Sequence, residues 1–197
     1  MTQVTRFWTK TLSNPFVREG AGRLSILSLL LLGAIAGVLH VYLKYPLSIP
    51  GRHGLEWMAL VLFGRCLSDN RYAATILAAG AAGSYLMQSA FLPLAHDFKP
   101  ALVFMLTGAC ADMIFRFTKD RLPMIVNAGV IGGLAFVSKP LVMYCLFLGG
   151  MQVGSFIKNP DYLPFVSHFL FGLTGGVGGA MLARAATAKQ TRDSNRQ

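Results

Sequence analysis

Charge is kept out of most of this chain. Long apolar blocks follow one another, and the lysines and arginines gather at the block ends. A helix needs about 20 mainly apolar residues to cross a bilayer. Of the 197 residues 54% are hydrophobic and 13% are charged, where a soluble domain carries about 25% charged residues. The blocks are apolar all round rather than striped, so one soluble core cannot absorb them. The expected fold class is an all-α integral membrane protein, a compact bundle of six transmembrane helices with both termini in the cytoplasm.

The spans are placed at about 24–43, 54–67, 72–94 and 100–117, a fifth beginning near 122, and the sixth at 163–186. Residues 1–22 form a basic N-terminal segment on the cytoplasmic side. Trp8 and Phe16 give it partial affinity for the membrane surface. The helical domain covers 23–187, and 188–197 read as a disordered cytoplasmic tail. Residues 29–36 also resemble the apolar core and cleavage site of a signal peptide, but the apolar run continues past Ala36. The fifth region stays apolar from 122 to 157 except at Ser138-Lys139-Pro140. It fits one long helix, one broken helix, or two spans joined by a tight turn.

Charge favours the six-span count. With the N-terminus inside, the inner segments hold Arg6, Lys10, Arg18 and Arg23, then Arg65 and Arg71, then Arg116, Lys119 and Arg121, then Arg184, Lys189, Arg192 and Arg196. The outer segments hold Lys44, Arg52, Lys99 and Lys158, with Lys139 left in the membrane. A seventh span would move the basic tail outside and erase the asymmetry, against the positive-inside rule. The chain is expected in a bacterial cytoplasmic (inner) membrane. The formal net charge of +10 is explained by these block ends and does not point to nucleic acid. Cys66, Cys110 and Cys145 show no CxxC spacing and read as small buried hydrophobes.

Polar groups inside hydrocarbon are costly, and each needs a reason. His40 falls at the outer end of the first span, His53 and Glu56 at the outer start of the second, His96 and Asp97 beyond the third, Lys139 in the outer part of the fifth, and His168 in the outer third of the sixth. These are the candidate substrate-binding residues: Glu56, His53, His40, Lys139, His168 and His96. Glu56 is the most informative, because Leu55, Trp57 and Met58 carry it into an apolar helix with His53 three positions earlier on the same face. It can bind a cation, bind a polar ligand, or pair with Lys139. Histidine with carboxylate also suits zinc, nickel or cobalt, but no HxH or HxxxH spacing is present, and metal binding stays open. No cofactor is expected. At the inner side Asp112 and Arg116, four apart on one helix, are expected to satisfy each other.

Small residues four apart form smooth stripes where another backbone can approach. They occur at Gly33 and Gly37, at Ala74 and Ala78, and at Gly172 and Gly176. They suit either packing within the bundle or docking onto a partner membrane protein. No nucleophile elbow, HExxH or phosphate-binding loop is present, so no enzyme is expected.

The Gly33–Gly37 run of the first span, the Pro46–Gly51 loop leading into the second, and the Gly-rich last span resemble the substrate-binding S components of energy-coupling factor (ECF) transporters. That resemblance, of topology and texture over most of the chain, implies a six-helix subunit with both ends inside. Such a subunit captures a micronutrient in an outward-facing pocket and depends on a coupling subunit and ATPases. The leading expectation is therefore a membrane subunit that captures a small molecule for uptake. The alternatives are a non-transporting assembly subunit of a larger membrane complex and, third, an intramembrane enzyme using Glu56. The partners expected are the lipid bilayer, other membrane subunits and a small-molecule ligand.

Overall fold

The computed structural model describes residues 24–43, 50–91, 98–118, 121–150 and 162–194. The N-terminal segment 1–22 and His96 lie outside the described residues. The described chain is helical throughout, without a strand: α1 Ile26–Tyr42, α2 Gly54–Cys66, α3 Ala73–Phe91, α4 Lys99–Thr118, α5 Met124–Phe136, α6 Ser138–Leu148 and α7 Leu163–Ser194. Three segments are long and apolar enough to cross a membrane, Lys99–Thr118, Met124–Leu148 and Leu163–Lys189, and they mark the chain as a membrane protein. α1 is apolar but shorter, at 17 residues.

α5 and α6 form one rod with a break. The Val137 amide donates to Gly133 at 3.3 Å and the Leu141 amide to Val137 at 3.2 Å, so helical bonding runs through the joint. Pro140 has no N–H to offer the Phe136 carbonyl one turn back, which is the local cause of the break. Among the described residues the region forms a broken helix over 124–148, and 151–157 lie outside the described residues. α7 also differs from expectation. It continues as helix to Ser194, past the boundary at 187 where a disordered tail was expected. Alanine, lysine, glutamine and arginine, good helix formers, fill that stretch.

α2 is the hub. Its 13 residues span about 20 Å at 1.5 Å per residue, too short to cross about 30 Å of hydrocarbon alone. It is enclosed by protein instead, touching α1, α3, α5 and α7. Met58 and Val61 are fully buried, and Trp57 and Leu62 nearly so. Around it α1 packs on α3, α3 on α4, α4 on α5, and α5 on α7. Leu31, Ile35, Phe117 and Leu134 point outward and are exposed, as suits helices that face lipid rather than water.

The small-residue stripes are covered from within the chain. A side chain added at Gly33 would fall on the Leu77 carbonyl oxygen of α3, and one at Gly37 would lie 2.6 Å from that of Ala81. Gly172 and Gly176 abut the Gly132 and Ala128 carbonyls of α5 in the same way. Ala74 and Ala78 are fully buried, and α4 meets them at Gly108, where an added Cβ would lie 2.7 Å from the Ala74 carbonyl oxygen. Each residue expected to dock a partner thus packs against another helix of the same chain. Sequence spacing finds the smooth face but not what covers it.

The end of the bundle where α2 finishes and α3 begins is locked by one carboxylate. Asp112 of α4 accepts hydrogen bonds from the backbone amides of Ala74 (3.2 Å) and Thr75 (2.8 Å) and from the Thr75 hydroxyl (2.8 Å). It therefore caps the first turn of α3 from a neighbouring helix. Its ion-pair partner is Arg65 of α2, at 3.2 Å with both side chains buried. Arg65 also donates to the Ser68 carbonyl at 3.0 Å and stacks 3.8 Å above the Phe115 ring. The expected Asp112–Arg116 pair does not form. Arg116 lies over the exposed Tyr72 ring at 5.0 Å. A buried, multiply hydrogen-bonded pair that spans helices outcompetes the local pair across one turn.

Removing one member of such a pair leaves the other charged and buried. Asp112→Ala is expected to destabilise the folded protein by about 3–5 kcal/mol. Arg116→Gln is expected to change stability by no more than about 0.5 kcal/mol. Thermal unfolding in detergent measures both, and the reverse order would restore the local pair.

Candidate functional site

The opposite end, where α1 finishes and α2 begins, holds the candidate site. Gly51 turns the chain with a φ of 83°, a left-handed conformation that a side chain would resist. An added Cβ there would also lie 2.9 Å from His168 Nδ1. The Gly54 amide closes this turn onto the Gly51 carbonyl at 2.8 Å. The turn sets His53 immediately before α2, with Glu56 and Trp57 in the helix's first turn, and His53 and Trp57 face residues of α1, α4 and α6 across the cavity.

A cavity of about 50 Å³ lies between these elements. It is lined by His40 of α1, His53 and Trp57, by Pro100, Val103 and Phe104 of α4, by Phe136 of α5, and by Lys139 and Met143 of α6. Aromatic contacts fix the walls. The His40 ring lies 4.9 Å from His53 and 5.1 Å edge-on to Phe104, and Trp57 lies 4.6 Å from Phe104. The Lys139 ammonium stands 5.9 Å from the centre of the Phe136 ring, at the outer limit of a cation–π contact.

Glu56 stands behind His53 rather than in the wall. Its Oε1 is 2.9 Å from His53 Nδ1. This contact orients the imidazole that faces the cavity, as a carboxylate behind a histidine commonly does. Among the described residues no carboxylate lies within 4 Å of the Lys139 ammonium, so the Glu56–Lys139 ion pair, one of the readings of Glu56, is not formed. His168 is buried one ring further back, 5.0 Å from Phe136. Its Nδ1 donates to the Pro164 carbonyl at 2.5 Å.

Of the six site residues expected, His40, His53 and Lys139 therefore line one cavity, Glu56 and His168 support it, and His96 lies outside the described residues. Trp57, Phe104 and Phe136 were not singled out from sequence. Trp57 carried one usable signal, because a tryptophan one turn after His53 on an enclosed helix has an indole N–H that needs a partner.

Buried polar atoms without a hydrogen-bond partner include His40 Nδ1, Glu56 Oε2, Trp57 Nε1 and His168 Nε2 at this end, and Arg65 Nε, Gln88 Oε1 and Asn127 Oδ1 elsewhere. Buried polar groups are nearly always hydrogen-bonded, and two of these atoms, His40 Nδ1 and Trp57 Nε1, belong to residues that line the cavity. Among the described residues no group of three or more His, Cys, Asp or Glu side chains is placed to hold a metal ion. Comparison with protein-family models, curated proteins and solved structures returns no match.

The geometry makes His53 the principal partner of Glu56. In double-mutant cycles built from Glu56→Gln, His53→Phe and Lys139→Met, the Glu56–His53 coupling is expected at about 1–3 kcal/mol, as for a hydrogen bond to a charged group. The Glu56–Lys139 coupling is expected to be smaller. A larger Glu56–Lys139 term, with Lys139→Met rescuing Glu56→Gln, would replace the dyad with an ion pair.

Proposed function

We propose that this protein is a solute-capture subunit of a bacterial inner membrane, with six spans and both termini in the cytoplasm, and that its site is the cavity between His40, His53, Trp57 and Lys139. The observation that carries this reading is that two buried polar atoms without a hydrogen-bond partner, His40 Nδ1 and Trp57 Nε1, belong to residues that line that cavity. At the other end Arg65 and Asp112 form a buried ion pair, and neither of them lines the cavity.

The charge distribution supports the orientation. Arg65, Arg71, Arg116, Arg121 and Arg184 fall toward the end that holds the Asp112 lock, which the positive-inside rule makes cytoplasmic. The cavity then faces outward. α1, α2 and α3 complete the six spans by crossing together, with α2 shielded by its neighbours. Size narrows the cargo. About 50 Å³ is well below the roughly 300–1,000 Å³ of pockets that hold drug-sized ligands, which favours a solute of a few heavy atoms.

The chain carries no ATPase motif, so uptake against a gradient depends on energising partners, as in ECF transporters. The Gly33, Gly37, Ala74, Ala78, Gly172 and Gly176 faces are already covered, so partners of this kind meet other surfaces. α6 is one such surface, since only Pro140 among its residues is buried. The same open face favours the second reading, an assembly subunit held in a larger complex.

Reporter fusions at Gln197 and in the Asp120 loop are both expected to read cytoplasmic. Mass spectrometry of the purified protein is expected to find a small solute that is absent from Val103→Phe, in which the added ring fills the cavity. An external reading at Gln197 would contradict the orientation. Loss of no solute on filling the cavity would contradict the site.

A further inference from the structure

We propose that the cavity takes a short-chain monocarboxylate, with the Trp57 indole N–H and the Lys139 ammonium as its two donors. This rests on the reading of the cavity as a solute site and adds the chemical class of the solute.

The lining sets the class by what it offers. Indole N–H and ammonium groups donate and never accept. Histidine takes either role, so His40 and His53 do not decide the matter. Pro100, Val103, Phe104, Phe136 and Met143 complete the wall, and none of them brings a carboxylate, amide or hydroxyl side chain. Glu56 is turned toward His53 and does not line the cavity. The complement is therefore a guest rich in acceptors.

Two observations sharpen this. Trp57 is 3% exposed and its Nε1 is buried with no acceptor, a loss that a guest oxygen repairs. Lys139 presents its charge to the same space, with no carboxylate among the described residues within ion-pair distance. A guest cation would meet that charge head-on, and a neutral amide would satisfy the indole but leave the ammonium uncompensated. A carboxylate offers two acceptor oxygens and one negative charge to these two donors. The remaining walls are apolar and aromatic and suit a short hydrocarbon tail. The volume of about 50 Å³, small beside drug-sized pockets, keeps that tail short.

The test uses the purified full chain in detergent and four probes: propionate, propionamide, propylamine and chloride. Thermal unfolding and calorimetric titration are expected to show saturable binding of propionate alone. Trp57→Phe, which keeps an aromatic ring and removes the donor, and Lys139→Met, which keeps length and removes charge, are each expected to weaken it by about tenfold or more. Should either variant fail to fold, the four-probe comparison on the unmodified chain still decides the class. Equal binding of propionamide or propylamine, abolished by Val103→Phe, would overturn the carboxylate while leaving a solute site in place. Chloride binding without propionate binding would do the same. Propionate binding indifferent to both variants would overturn the two donors. Failure of all four probes overturns the carboxylate. If no solute co-purifies either, the solute-capture reading falls with it.

Discussion

The structure depends on helices meeting backbone to backbone. In a lipid-facing bundle the hydrophobic effect does not drive helices together, because lipid tails are as apolar as leucine. Close packing has to supply the cohesion. α1 meets α3 at Gly33 and Gly37, α3 meets α4 at Gly108, and α7 meets α5 at Gly172 and Gly176. α7 meets α2 on its adjoining face, where a Cβ added at Gly175 would lie 2.5 Å from the Leu55 carbonyl. α7 is thus smooth on two faces and holds α2 and α5 at once. That arrangement encloses the short α2, which carries Glu56, Trp57 and Arg65 among its neighbours.

α2 consequently links two polar centres of opposite character. Near its C-terminal end, Arg65 is consumed by Asp112, Ser68 and Phe115. Asp112 in turn holds the first turn of α3. That centre is closed and structural. At the N-terminal end, the Gly51 turn presents His53 and Trp57 to a cavity that the described residues leave unfilled. The two centres differ in that the first pairs its charges across helices and the second lines a cavity.

Much of this was legible in the sequence. The helical, membrane-bound character followed from block length and charge exclusion, and the joint near Pro140 from one proline beside one lysine. His40, His53 and Lys139 were marked because polar residues stand out in apolar blocks. Their aromatic neighbours were not, since Phe104 and Phe136 have the same signature as any lipid-facing phenylalanine until the tertiary contacts are known. Asp112 shows the opposite failure. A partner was visible four residues away in Arg116, while the actual partner, Arg65, is remote in sequence and close only because α2 and α4 converge. The glycine stripes were found at the right positions, but spacing carries no information about whether the covering backbone belongs to the same chain.

The central claim is that the space beside Trp57 is where a solute binds. The chain has two tryptophans, so Trp8→Phe leaves Trp57 as the sole indole. Its fluorescence then reports directly on the cavity. On titration with propionate, the account predicts a saturable change in Trp57 emission whose midpoint matches the thermal stabilisation by the same probe. Stabilisation by propionate with Trp57 emission unchanged at saturation would place the bound solute elsewhere and contradict the account.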